Sequence, residues 1–397
     1  MGATYFRKGF GLKQEIGADL AAYHSELVER MRAEGGTLAV GDLTFRLARE
    51  FGFCYGVDRA VEYAYEARRK FPDRRLFLVG EIIHNPHVNA RIEAEGITIL
   101  KYDPRGEFDF SAITPADVVL MPAFGVSVRD FERLRAIGCV VVDTTCGSVL
   151  NVWKRVERYA REGFTAVVHG KHHHEETKAT ASQVTRFDGG KYLVVRDMAE
   201  AEILCRFIER GEGREAVDAA FGEKVSPGFD FDRDLERIGV ANQTTMLARE
   251  SLAIAERIGE ALAARHGRDR LDQHFRSFDT ICSATQDRQD AVLELIEEPL
   301  DVMLVIGGYN SSNTTNLARI CAARLTTYHI ADAACIDPAA GAIRHKPLDA
   351  ADEIVTRDWL MPGPRRIGIT AGASTPNNKI GEAVARVLEM RGVRIDA

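Results

Sequence analysis

Short β-branched runs alternate along this chain with longer stretches in which apolar residues return every third or fourth position. Val140-Val141-Val142 is one such run, and it ends at once in Asp143-Thr144-Thr145-Cys146-Gly147-Ser148. It reads as a buried strand and its polar exit. Val149, Val152, Trp153, Val156 and Ala160 then recur at helical spacing. Cys146 is thereby predicted in a turn between a strand and a helix N-terminus. Backbone N–H groups and the helix dipole there favour negative charge, and the carboxyl ends of strands in α/β sheets are where ligands bind. A lone cysteine at such a place reads equally as a small buried hydrophobe.

The pattern occurs twice more. Leu43, Phe45 and Leu47 alternate like a strand, Phe51-Gly52-Phe53-Cys54-Tyr55-Gly56 forms a turn, and Val57, Ala60, Val61 and Ala64 mark a helix face. Asp279-Thr280-Ile281-Cys282 precedes a helix whose Asp287-Arg288 and Ala291-Val292 echo Asp58-Arg59 and Ala60-Val61. Three separated cysteines that each open a helix argue against coincidence.

Elsewhere Ile16–Met31 reads as one amphipathic helix through Leu20, Tyr23, Leu27 and Met31. Arg75–Val79, Ala116–Met121, Thr165–Val168, Tyr192–Val195, Val302–Ile306 and Ile367–Thr370 read as strands, and Gly239–Thr245 continues the pattern. Arg210–Asp234, rich in glycine and charge, reads as an insertion or a long surface loop. Strands of about five residues alternating with helices predict parallel α/β units. The strand exits carry His84, then Lys171-His172-His173-His174-Glu175-Glu176-Thr177, then Gly307-Gly308-Tyr309-Asn310-Ser311-Ser312-Asn313, and finally Ala371-Gly372-Ala373-Ser374. Glycine lets backbone approach a ligand, so these loops suit phosphate oxygens as well as ordinary turns. No Walker lysine motif or Gly-x-Gly-x-x-Gly follows a strand, which argues against a nucleotide.

With 397 residues, length allows two or three domains. A net charge of −7 argues against a general nucleic-acid surface. No apolar run reaches the ~20 residues that span a bilayer, and the N-terminus lacks a signal-peptide core. The expectation is a cytoplasmic protein, or one of the plastid stroma, with no nucleic-acid or membrane partner. The seven cysteines, Cys54, Cys139, Cys146, Cys205, Cys282, Cys321 and Cys335, include no Cys-x-x-Cys pair. That speaks against a disulfide scaffold and against zinc ribbons. Buried thiols and a site assembled from distant segments remain.

Taken together, Gly52-Phe53-Cys54-Tyr55-Gly56-Val57, Ile83-His84-Asn85, Thr144-Thr145-Cys146, His174-Glu175-Glu176-Thr177, Gln243-Thr244-Thr245, Ile281-Cys282-Ser283-Ala284-Thr285, Asn310-Ser311-Ser312-Asn313 and Thr370-Ala371-Gly372-Ala373-Ser374 resemble the LytB/IspH family. These are the 4-hydroxy-3-methylbut-2-enyl diphosphate reductases of the non-mevalonate (MEP) isoprenoid pathway. The similarity runs from Leu43 to the C-terminus. Arg7-Lys8-Gly9-Phe10-Gly11 and the Lys171–Thr177 form resemble the cyanobacterial and plant-type branch.

The resemblance implies an α/β fold, a trefoil of three pseudo-equivalent domains with parallel sheets around a central iron–sulfur cluster. The divisions expected are an appendage at 1–42, a strand at 43–54 joining the third domain, and domains at 55–145, 146–281 (with the loop near 210–234) and 282–397. It further implies one 4Fe–4S cluster held by Cys54, Cys146 and Cys282, with one open iron. The reaction implied removes the substrate's hydroxyl reductively, giving isopentenyl and dimethylallyl diphosphate. Glu176 matches the family's proton donor and Thr244 the hydroxyl that orients substrate. A carboxyl near an anionic substrate shifts toward its protonated form, as a donor requires. His84, His174, Ser311, Ser312, Asn313 and Ser374 match the diphosphate-binding positions, and ferredoxin or flavodoxin would supply electrons. Phe124 stands where many members carry a histidine, a feature of the plant-type branch; phenylalanine cannot donate to phosphate, so that contact is missing or replaced. Two other classes stay open: a zinc-dependent hydrolase using His172, His174 and Glu176, and a non-catalytic iron–sulfur sensor.

Overall fold

The computed structural model describes residues 4–103, 106–278, 280–348 and 350–395. Asp279, in the third cysteine motif, lies outside the described residues. The chain divides into two compact units. The first holds Arg74–Gly80, Thr98–Cys282 and the N-terminal strand; the second holds Lys8–Asp73, Glu81–Ile97 and the chain from Ser283 onward. The fold is α/β, built on parallel sheets.

In the first unit, one five-stranded sheet runs in the order Tyr5–Phe6, Val140–Asp143, Val118–Met121, Leu76–Val79, Ile97–Leu100. Val118–Met121 lies parallel to Val140–Asp143 in register, Met121 opposite Asp143. A four-stranded parallel sheet follows, ordered Phe275–Ser277, Ile238–Asn242, Thr165–His169, Tyr192–Val195. The middle strands are buried along their whole length. That is why they read as continuous apolar runs instead of alternating: helices cover both faces of a parallel sheet.

The second unit's main sheet is ordered Thr327–Ile330, Val302–Ile306, Arg365–Ala371, Leu43–Leu47, Thr37–Val40, and only the last pair is antiparallel. A small antiparallel sheet adds Ile336–Asp337, Ala342–His345 and Ile354–Arg357.

Three expectations change. Ile16–Met31 is not one helix: Gly17–Ala21 stops, and Glu26–Ala33 starts afresh because Ser25 Oγ caps it by accepting the N–H of Val28. Arg210–Asp234 is not a surface loop either. It forms helices Arg214–Phe221 and Phe231–Asp234 and sinks Val217, Phe221 and Phe231 into a core with Leu193, Phe207 and Ile258. The 1–42 segment, expected as an appendage, supplies a strand to each of two sheets, and Leu27, Val28 and Met31 are buried with Phe45 and Ile369. No helix among the described residues is long and apolar enough to cross a membrane.

Candidate active site

Four strand exits of the first unit carry its candidate residues. Cys146 is the N-cap of helix Gly147–Arg161 in extended conformation (φ −60°, ψ 142°), and its N–H donates to Ala123 O at 2.8 Å. Buried Asp143 shapes the turn before it. Asp143 Oδ1 accepts the N–H of Thr145 at 2.9 Å, while Oδ2 accepts from the Tyr5 hydroxyl and from Arg7 Nε. Beside Ala123, the Phe124 ring meets His174 edge-on with centroids 6.2 Å apart. Here the phenylalanine packs the histidine ring where a second histidine would offer a donor.

His174 caps helix Glu175–Ser182, its Nδ1 accepting the N–H of Glu176 at 3.1 Å. A ring nitrogen that accepts carries no proton, so the hydrogen-bond network assigns the neutral ring's proton to Nε2. Glu176 is buried, and its Oε1 accepts the N–H of Thr244 at 2.6 Å. The carbonyl of Thr244 accepts the N–H of Cys282 at 3.4 Å. Thr280 Oγ1 steadies the approach to Cys282: it accepts the N–H of Asn242 at 2.9 Å and donates to Asn242 Oδ1 at 2.6 Å. The first unit thus brings Cys146, His174, Glu176, Thr244 and Cys282 into one connected set of loops.

The second unit assembles the other candidates. Cys54 opens helix Tyr55–Lys70 (φ −95°, ψ 162°). The turn before it requires glycine: Gly52 has φ +69°, and a Cβ there would stand 2.9 Å from Asn377 Oδ1. Gly52 and Cys54 donate their N–H groups to Ala371 O and Ala373 O, each at 3.2 Å. The N–H of Ala373 in turn donates to Asn313 Oδ1 at 2.9 Å, and Ser374 Oγ donates to His84 O at 3.2 Å. His84 Nδ1 lies 3.0 Å from Glu81 Oε2. Gly308 presses so close to this segment that a Cβ would stand 2.7 Å from His84 O. The exit of strand Arg365–Ala371 therefore ties Cys54, His84 and Asn313 to one short piece of backbone.

Ser311 caps helix Ser312–Ala322, its Oγ accepting the N–H of Thr314 at 3.3 Å. Ser312 and Asn313 form the first turn, where backbone N–H groups and the helix dipole favour an anion. Asn313 Nδ2, Thr314 Oγ1 and Thr370 Oγ1 are buried without a hydrogen-bond partner among the described residues. Such atoms cost free energy until something meets them. A donor fixed in place beside a helix N-terminus suits an anionic oxygen.

Burial sorts the cysteines into two groups. Cys54, Cys146 and Cys282 are half-buried, and the other four are buried. Loss of solvation pushes the thiol of Cys139 up to about 11 and those of Cys205 and Cys321 up to about 12. The half-buried three, each just before or at the start of a helix, have the donor chemistry that holds iron through thiolates. Sequence reasoning assigned no role to Gln243, which is buried and bridges two loops. Its Oε1 accepts from Thr177 Oγ1 at 3.1 Å and from the N–H of Lys171 at 3.2 Å. Asp143 was also missed. Their signal was position: Gln243 opens the Gln243-Thr244-Thr245 motif, and Asp143 directly precedes Thr144-Thr145-Cys146. His172 and His173 pack ring to ring, centroids 4.8 Å apart, and burial holds His172 below the usual histidine range.

Among known proteins, residues 45–388 match the family model described as LytB protein. The chain is 48% identical over 395 residues to the 4-hydroxy-3-methylbut-2-enyl diphosphate reductase of Gloeobacter violaceus, covering 98% of this chain and 93% of that protein. It is 46% identical to the protein of the same name from Thermosynechococcus vestitus, covering 98% and 96%. A solved structure of (E)-4-hydroxy-3-methyl-but-2-enyl diphosphate reductase, described as the terminal enzyme of the non-mevalonate pathway, superposes with a TM-score of 0.53 at 27% identity, over 87% of this chain and 99% of that one. The Plasmodium falciparum structure, at 19% identity and a TM-score of 0.61 over 86% of each chain, shares the fold.

Proposed function

The chain belongs to the LytB family, and from that premise we propose how its residues carry out the family's reaction. The enzyme reduces 4-hydroxy-3-methylbut-2-enyl diphosphate to isopentenyl and dimethylallyl diphosphate, the last step of the non-mevalonate isoprenoid pathway. Two electrons and two protons enter, and the hydroxyl leaves as water.

Family membership implies an iron–sulfur cofactor. In our reading it is one 4Fe–4S cluster held by Cys54, Cys146 and Cys282, with one iron open. Helices Tyr55–Lys70, Gly147–Arg161 and Ser283–Leu295 then open the three segments 55–145, 146–281 and 282–397, each at a ligand. When bound, the cluster supplies electrons and Lewis acidity toward the hydroxyl oxygen.

The chain's own groups do the rest. Glu176 holds the proton that the leaving hydroxyl takes up. Its Oε1 accepts the N–H of Thr244, which holds the carboxyl in place. Burial and an anionic ligand both favour the protonated carboxyl. Thr244 Oγ1 orients the substrate's hydroxyl without adding charge. His174 donates to the diphosphate through Nε2, joined by His84, Ser311, Ser312, Asn313 and Ser374. Electrons arrive from a small redox protein of the ferredoxin or flavodoxin class.

The observation that carries this reading is the peptide of Thr244, bracketed by Glu176 on its N–H and Cys282 on its carbonyl. It puts the proposed acid and a proposed ligand one residue apart. The zinc-hydrolase reading loses ground, since His174 Nδ1 is committed to the helix cap. Anaerobic turnover with a chemical reductant, alongside iron and sulfide analysis, tests the proposal. Turnover by a protein without iron would overturn it.

A further inference from the structure

Arg288 is 4% exposed, yet among the described residues its hydrogen bonds all go to backbone carbonyls. Nε and Nη2 donate to Gly52 O at 3.2 and 2.7 Å, Nη2 also to Phe53 O at 3.0 Å, and Nη1 to Ala284 O at 2.8 Å. A guanidinium does not lose its proton in a protein. A buried charge is ordinarily paired with an opposite one, because carbonyl dipoles only partly replace water. Both carbonyls outside the arginine's own helix belong to the two residues that lead into Cys54. On its other side the same turn is held by Ala371 and Ala373. The turn is therefore clamped from two sides, and among the described residues the guanidinium of Arg288 has no carboxylate hydrogen-bonded to it.

We infer that Arg288 is a positioning residue of the cofactor site, which fixes the Gly52–Phe53 backbone for Cys54 and offsets the negative charge of the thiolate-bound group there. The inference rests on reading Cys54 as a ligand. Arg288 lies 236 residues from Gly52 in sequence, and its helix is the one that follows Cys282. It joins the approach to one proposed ligand to the helix behind another.

The test uses full-length protein purified anaerobically with its iron: wild type, Arg288→Lys and Arg288→Met, each checked for folding by circular dichroism. Partners just outside a metal's ligands are worth roughly 10–100-fold in metal affinity, so iron loss to a chelator should quicken by that order in Arg288→Met. The cluster's midpoint potential should fall, because removing a positive charge disfavours the reduced state. Arg288→Lys keeps the charge but cannot span two carbonyls. It should hold a potential near wild type while losing iron faster. If Arg288→Met fails to fold, the Arg288→Lys iron-release rate decides, and a wild-type rate there overturns the inference. Alkylation with iodoacetamide separates the two readings. Protection of Cys54 by iron, with wild-type iron release and potential in Arg288→Met, overturns this inference alone. Equal alkylation of Cys54 with and without iron overturns the ligand reading and this inference with it.

Discussion

Glu176 Oε1 accepts the backbone N–H of Thr244 at 2.6 Å inside a buried environment. The bond anchors the carboxyl to the backbone of the Thr244 loop. Replacing the glutamate by glutamine keeps an oxygen that can accept this N–H while removing the proton to be donated. Glu176→Gln should retain wild-type iron and bind substrate with little loss, while turnover falls by about 10²–10⁴-fold, the usual worth of acid–base catalysis. Anaerobic turnover beside a substrate titration followed in the visible spectrum would check it; near wild-type turnover would assign the proton to another group.

Serine replacement of each cysteine in turn should divide the seven. Cys54, Cys146 and Cys282, half-buried at helix starts, should each cost the protein its iron. Cys139, Cys205, Cys321 and Cys335 should keep iron but lower the melting temperature, since burying a hydroxyl in a thiol's place costs about 1–3 kcal/mol. Iron content by mass spectrometry reads the division. Full iron in Cys146→Ser would break it.

Asn313→Asp tests the diphosphate loop. The new side chain still offers an oxygen to the N–H of Ala373, as Asn313 Oδ1 does at 2.9 Å. It replaces the buried donor Nδ2 with a second acceptor. Losing a hydrogen bond to a charged group costs about 1.5–3 kcal/mol, so KM should rise at least tenfold with iron and folding intact. An unchanged KM would mean that the diphosphate lies elsewhere.

Burial holds two histidines neutral. His169, bonded to Ser251 Oγ, and His329, bonded to Gly307 O, are both lowered to about 4 from an ordinary 6.5. The unfolded chain binds these protons more readily, so this stability is complete above pH 6.5 and drains away as pH falls toward 4. Each contributes a slope of up to about 1.4 kcal/mol per pH unit in that window. Urea unfolding measured from pH 7.5 down should show it, and His329→Gln should remove one histidine's share. A flat profile down to pH 5 would contradict the assignment.

Much of this was written in local sequence. Val140–Asp143 and Val302–Ile306 are strands because they are continuous apolar runs, and Cys54 and Cys146 cap helices because a strand exit and a helical period meet at each. What local sequence hides is partnership at a distance. Tyr5–Phe6 is too short to have a period, yet it pairs with Val141 and Val142. Val217 and Phe221 sit in a stretch whose glycines and charges suggested a loop, and only the core they fill reveals a helix. In sequence Arg288 only echoes Arg59 of the first cysteine motif, and its contact with the carbonyls of Gly52 and Phe53 appears only in the fold. The loops of Glu176, Thr244 and Ser374 were found by their motifs. The hydrogen bonds that lock those loops to the cysteines were not legible, because each joins residues dozens of positions apart.

The most direct test of the account is product analysis from the anaerobically purified, iron-loaded protein, given 4-hydroxy-3-methylbut-2-enyl diphosphate and a reduced viologen. The account predicts that substrate disappears, that isopentenyl and dimethylallyl diphosphate both accumulate, and that Cys54→Ser abolishes both. A protein carrying its full iron and sulfide that leaves the substrate untouched, or releases phosphate from it, would contradict the account.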